Sequence, residues 1–77
     1  MKVKVRLFGM LSEAATVNSI AMADVDNTDE VLRQLFIKFP SLEQMQYTIS
    51  VNHTIYSEKV DLTDGDEIAM LPPFAGG

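Results

Sequence analysis

Leu62-Thr63-Asp64-Gly65-Asp66-Glu67-Ile68-Ala69-Met70-Leu71-Pro72-Pro73-Phe74-Ala75-Gly76-Gly77 runs from a turn, through a strand, to a diglycine. Asp64-Gly65-Asp66 is a turn signal, because Gly65 can take positive φ without steric cost and the flanking carboxylates can bond local backbone groups. Glu67 to Leu71 then alternates with period two, so Ile68 and Met70 share one face and Ala69 and Leu71 the other. Pro72-Pro73 ends the strand: two backbone donors are gone and the chain is held extended, which stops pairing with a neighbour. The remaining Phe74-Ala75-Gly76-Gly77 reads as an arm. Gly76 and Gly77 have no side chain to hinder passage through a narrow channel, and nothing beside the final carboxylate could attack it once activated. Fully extended, the arm from Phe74 onward reaches on the order of 14 Å.

Working back from the arm, Lys2 to Phe8 is the clearest strand, with Val3, Val5 and Leu7 alternating against Lys4 and Arg6. The same alternation sends Phe8 to the wet face, where it is the exception. Gly9 to Ala15 reads as a connecting loop or short turn. Ser19 to Ala23 is a second strand, with Ile20 and Met22 inward, and Asp24-Val25-Asp26-Asn27 breaks it. Thr28-Asp29-Glu30 opens a helix, with Thr28 as its cap and the acidic pair at the positive end of the dipole. Val31, Leu32, Leu35, Phe36 and Phe39 form one stripe, a core face wide enough to cover a small sheet. Pro40 stops that helix at Phe39. Ser41 to Gln46 has room for a further turn of helix, with Leu42 or Met45 as a plug. Tyr47, Ile49 and Val51 point inward from the next strand, Asn52-His53 makes a tight hairpin turn without the usual glycine, and Thr54-Ile55-Tyr56 returns. Strand, strand, helix, strand, strand, strand describes a small α+β domain with one main helix over one face of a mixed sheet.

Composition sets the outer limits. With 77 residues, 47% of them apolar, the chain has the makings of one globular domain with a small core. There is no cysteine, so a disulfide framework, a thiolate metal site and a cysteine nucleophile are excluded. The net charge of −5 disfavours binding to a phosphate backbone. No signal-peptide pattern and no apolar run of membrane-spanning length is present, so a soluble cytoplasmic protein is expected, away from membranes and nucleic acid. Asp61, Asp64, Asp66 and Glu67 lie close in sequence to the arm and would serve either as an acidic collar steering it or as ordinary solubilising charge. His53, the single histidine, has no metal-ligand or nucleophile partner at a diagnostic spacing and reads as a turn residue.

The segments Leu62 to Ala69, Pro72-Pro73 and Gly76-Gly77 together resemble the carboxyl-terminal signature of the ubiquitin-like sulfur carriers, and most closely the small subunits of molybdopterin synthases. Val3 to Leu11 followed by Glu13, Thr28 to Leu35 with its Leu32-Arg33-Gln34 core, and Val51-Asn52-His53-Thr54 extend the resemblance over most of the chain. It implies the β-grasp, or ubiquitin, fold: a single domain over residues 1–73 with 74–77 as a flexible carrier tail, and first and last strands parallel at the sheet centre. Phe8 and Leu71 would then be neighbours, joined by Phe74 in an apolar patch at the root of the arm and rimmed by Arg6. Phe8, Leu71, Pro72, Pro73 and Arg6 would meet the partner; Pro72, Pro73 and Phe74 would aim the arm, Ala75 would continue it, Gly76 would give it clearance, and Gly77 would be the covalent carrier.

The implied chemistry needs partners. An E1-like adenylating enzyme would use ATP and Mg²⁺ to activate the Gly77 carboxylate, a sulfur donor would convert it to a thiocarboxylate, and the large catalytic subunit of molybdopterin synthase would receive it. No cofactor would be bound to the chain itself. Three other readings stand beside this one. A thiazole-pathway sulfur carrier shares the fold and the diglycine, a ubiquitin-like protein modifier would join Gly77 to lysines, and a plain binding module would use the patch alone.

Overall fold

The computed structural model describes residues 1–73. Its elements are β1 (Lys2–Leu7), α1 (Gly9–Ala15), β2 (Ser19–Ala23), α2 (Thr28–Lys38), a short 3₁₀ turn (Pro40–Gln44), β3 (Thr48–Val51), β4 (Thr54–Tyr56) and β5 (Glu67–Leu71). The five strands form one mixed sheet in the order β2-β1-β5-β3-β4. β1 and β5 are parallel, with Val5 opposite Ile68 and Leu7 opposite Met70. Every other pairing is antiparallel. This is the expected α+β, β-grasp architecture, with the last strand at the centre.

Alternation places the core. Val3, Val5 and Leu7 of β1, Ile68 and Met70 of β5, and Ile49 and Val51 of β3 all turn to one face, and α2 covers them with Val31 and Leu35. Leu32, Phe36 and Phe39 pack at its margin, the stripe read from the sequence. Leu42 plugs the layer from the 3₁₀ turn and is fully buried, while Met45 packs beside the core. A fully buried Leu, Ile or Met contributes about 1.5–3 kcal/mol by leaving water. In a domain this small, that face carries most of the stability.

Two local readings need correction. The segment Gly9–Ala15 is a helix, not a loop. No side chain caps it, which hid its start; its helical signal is the spacing of four between Leu11 and Ala15, both buried, among good helix formers. The cap of α2 is Asn27, not Thr28. The Asn27 side chain accepts from the Glu30 N–H at 3.0 Å, while the Glu30 carboxylate accepts from the Asp26 N–H at 2.8 Å. Thr28 is buried and serves a different partner, its Oγ1 accepting from the Val60 N–H at 3.0 Å. That bond pins the long β4–β5 connection to the start of α2, helped by the Leu62 N–H to Asp26 carbonyl bond at 2.9 Å.

Asn52 and His53 both have positive φ, 49° and 74°, in a two-residue hairpin that pairs Val51 with Thr54. Positive φ at both central residues gives the twist a two-residue hairpin needs. Asn tolerates the left-handed region; His53 holds it at some cost.

Candidate docking face and the root of the arm

β5 leaves the sheet centre beside the end of β1, and this fixes what surrounds the root of the arm. β1 keeps its alternation one residue past its end: Phe8 is extended, at φ −123° and ψ 151°, and its N–H donates to the Met70 carbonyl at 3.2 Å. Leu7 therefore points into the core and Phe8 out of it, 37% exposed. Leu71, one residue past the buried Met70, is turned to the same outer face and half-buried.

Phe8 and Leu71 line one open hollow of about 230 Å³ on the sheet face away from α2. Arg6 stands at its rim. The guanidinium carbon lies 5.3 Å from the centre of the Phe8 ring, and Nη1 is 3.3 Å from Oε2 of Glu67. Both side chains are partly in water, so the ion pair contributes little stability, about 0–1 kcal/mol. Its effect is orientation: Glu67 holds the Arg6 guanidinium against the ring face, where a cation is attracted to the π-system. The expected trio of Phe8, Leu71 and Arg6 is thus brought together.

The hollow has members the sequence reading did not single out. Ile55, 60% exposed, faces into it from β4, Ser50 forms its floor, and His53 stands at its edge. The missed signal was parity across the hairpin. If Ile49 and Val51 point inward, Ser50 points outward, and the two-residue turn sets Ser50 opposite Ile55. On its other side Ser50 is paired with Ala69, so β3, β4 and β5 contribute to the surface together with Arg6 of β1.

Pro72 and Pro73 lie apart from that hollow. They line a second hollow, of about 310 Å³, with Met10, Leu11 and Met45 on the side of α1. Gly9 explains the close approach: a Cβ at that position would lie 3.2 Å from Pro72 Cγ, and its φ of 58° suits glycine. Met10, 66% exposed, continues the apolar surface around the corner. The root of the arm is therefore flanked by two apolar surfaces on different faces. Phe74, Ala75, Gly76 and Gly77 lie outside the described residues.

The acidic turn stands at the other end of β5, with Asp66 six residues or roughly 20 Å along the strand from Pro72. Its carboxylates build structure there. Asp64 Oδ1 accepts from the Lys2 N–H at 2.7 Å. Asp66 accepts from the Thr63 N–H at 2.8 Å, from the Thr63 hydroxyl at 3.1 Å and from Asn52 Nδ2 at 2.9 Å. The Thr63 backbone bond first, and the Asn52 amide second, hold the Asp66 carboxyl below its ordinary range. Asp64 and Asp66 thus stand at the opposite end of β5 from Pro72, while Glu67 lines the hollow with Arg6. Among the described residues, no three His, Cys, Asp or Glu side chains are grouped to hold a metal ion, and no helix is long and apolar enough to cross a membrane.

Known proteins share this architecture. The model of the ThiS family matches residues 5–77. The molybdopterin synthase sulfur carrier subunit of Chlamydomonas reinhardtii is 31% identical over 83 aligned positions, covering the whole of both chains. Among solved structures, a chain of the complex of subunits 1 and 2 of the molybdopterin-converting factor from Helicobacter pylori superposes with a TM-score of 0.77 at 28% identity, again over the whole of both chains. Small archaeal modifier protein 1 from Methanosarcina acetivorans superposes with a TM-score of 0.84 at 28% identity, covering 99% of this chain and 96% of that one.

Proposed function

The chain belongs to the ThiS family, and from that membership we propose that it is the sulfur carrier subunit of a molybdopterin synthase, with Gly77 as the carrying residue. The observation that supports this reading most is the course of β5. The strand runs through the sheet centre and brings the chain to Pro72-Pro73 between two apolar surfaces, with Gly76-Gly77 four residues on in sequence. The body is thereby a grip and the arm is what is presented.

The Gly77 carboxylate attacks the α-phosphorus of ATP in an activating enzyme, releasing pyrophosphate and forming an acyl-adenylate. A sulfur donor then displaces AMP and leaves a thiocarboxylate. In the synthase complex the hollow of Phe8, Ile55 and Leu71 seats the large catalytic subunit, and the arm carries sulfur into that subunit's active site for transfer to the pterin precursor. Catalysis belongs to the partners. The chain contributes proximity, since a tethered thiocarboxylate has a high effective concentration where it is aimed. Apolar anchors in a desolvated centre supply most of the affinity in such a seat, and Arg6 and Glu67 form its polar rim.

The intact mass of the chain recovered from its native cells, without reducing or hydrolysing treatment, tests this directly. Replacement of one oxygen by sulfur, located by fragmentation to Gly77, is the expected result. An unmodified Gly77 even after supply of the activating enzyme, ATP and sulfur donor would sink the carrier reading. A modifier role, in which Gly77 is joined to lysines, would instead leave covalent conjugates in the same preparation.

A further inference from the structure

β2 is an edge strand, and its free edge is unguarded. The Leu7 N–H donates to the Asn18 carbonyl at 2.9 Å and the Asp24 N–H to the Met1 carbonyl at 2.9 Å, so the even-numbered residues of this stretch direct their backbone groups toward β1. By the alternation of an antiparallel ladder, Ser19, Ala21 and Ala23 direct their N–H and C=O groups outward. Strand edges are ordinarily protected by charge, proline, a bulge or extreme shortness. Ser19-Ile20-Ala21-Met22-Ala23 has none of these over five residues. The opposite edge, β4, is only three residues long.

Charge decides what fits there. On the outer face, Ser19, Ala21 and Ala23 stand opposite Arg6, Lys4 and Lys2 of β1. Half of the chain's six basic residues lie in this row, on a protein whose net charge is −5. Arg6 is engaged by Glu67; Lys2 and Lys4 are exposed and make no ion pair among the described residues. An added strand would lie two strand spacings from β1, just under 10 Å. Only small side chains intervene, so the lysines can reach over Ser19, Ala21 and Ala23 to carboxylates on it. A second copy of this chain would instead bring a second basic row to the same junction, with its lysines facing these and no carboxylate between them.

We propose that the β2 edge binds an extended acidic segment of another protein, added antiparallel as a further strand. Residues opposite Ser19, Ala21 and Ala23 carry carboxylates on the outer face, and the alternate residues are apolar and pack beside Ile20 and Met22. The main chain supplies the ladder and the side-chain alternation supplies selectivity. This site is on the far edge from β4 and does not depend on the carrier reading.

The test uses the whole chain, labelled with ¹⁵N, and a blocked synthetic peptide of sequence Ser-Glu-Val-Glu-Val-Glu-Ser. Titration at low ionic strength is expected to move the amide signals of Ser19, Ala21 and Ala23 more than those of Ile20 and Met22, an alternation that only strand addition produces. N-methylation of the peptide's central glutamate should weaken binding on the order of tenfold or more by removing a ladder bond, while N-methylation of a neighbouring valine, whose N–H points away, should not. Lys4→Glu should weaken it several-fold, and added salt should do the same to the native chain. Ala21→Pro removes one outward donor without touching the ladder to β1, and is expected to match the peptide methylation. The proposal is overturned by no shift at millimolar peptide, by shifts centred on Phe8 and Leu71, or by equal binding of a peptide with lysine in place of glutamate.

Discussion

The two ends of β5 are built by opposite means. At its start, Asp64-Gly65-Asp66 is laced to β1 and to the β3–β4 hairpin by short polar bonds. Lys2 N–H meets Asp64, the Gly65 N–H meets the Lys2 carbonyl at 2.7 Å, and Asn52 both donates to Asp66 and accepts from the Glu67 N–H. At its finish, beyond the Phe8 N–H to Met70 bond, the surroundings are apolar: Phe8, Ile55 and Leu71 on one side, and Met10 with Pro72 and Pro73 on the other. Directional bonds fix a turn whether or not anything else is present. Exposed apolar surface gains stability only when something covers it. One end of the strand is finished within the chain; the other is the end that the proposed partner would complete.

The sharpest way to break this contrast is at the arm. Deletion of Gly77 should abolish sulfur transfer while leaving the melting temperature unchanged, because residues of 1–73 alone build the core and the turn described above. Single-turnover transfer and thermal unfolding, measured on the same preparation, check both halves. Loss of stability alongside activity would mean that the arm belongs to the fold. One step up the strand, Phe8→Ala should weaken binding to the large catalytic subunit by about 2 kcal/mol or more, the size of an interface anchor, and cost far less in folding stability. Calorimetric titration against the partner and chemical denaturation separate the two. An equal loss in both would move Phe8 from the docking face to the core.

The contrast also accounts for what could be read in advance. The strands, the α2 stripe of Val31, Leu35 and their neighbours, and the outward turn of Phe8 all follow from period alone, since burial on one face imposes it. Pairing of β1 with β5 came from resemblance, because two strands about sixty residues apart carry no local sign of adjacency. α1 was missed because it starts without a side-chain cap and buries only Leu11 and Ala15. Ile55 and Ser50 were legible through hairpin parity and were passed over. The roles of Asp64 and Asp66 could not be seen from sequence neighbours. A five-residue strand separates Asp66 from Pro72, and the partners of Asp66 include Asn52, fourteen positions away.

At the turn, effects should be smaller and purely structural. Asp66→Asn keeps the shape but weakens acceptance from Thr63 and Asn52, and should cost about 1 kcal/mol in stability with transfer unaffected. Because the folded carboxyl titrates below its ordinary value, the stabilisation it provides is fully present above the unfolded pKa of about 3.9 and is lost as pH falls through the folded value. Denaturation of the native chain should therefore show an acid loss of stability below about pH 4, and Asp66→Asn should flatten part of it. A variant with the same acid limb as the native chain would assign that loss elsewhere.

The smallest expected change separates the two ends within one residue. His53 occupies the second position of the hairpin turn at φ 74°, and it also stands at the edge of the docking hollow. Glycine adopts that φ freely, and Asn-Gly is the favoured pair for such a turn, so His53→Gly should stabilise the fold by about 0.5–1 kcal/mol after the entropy cost of glycine. If the imidazole serves only the turn, binding to the large subunit is unchanged and the variant is simply a more stable carrier. If it serves the hollow, the same substitution raises the melting temperature and weakens docking. The left-handed backbone at His53 would then be a strain held in place for the sake of the interface, and the polar bonding of the turn would be what sustains it.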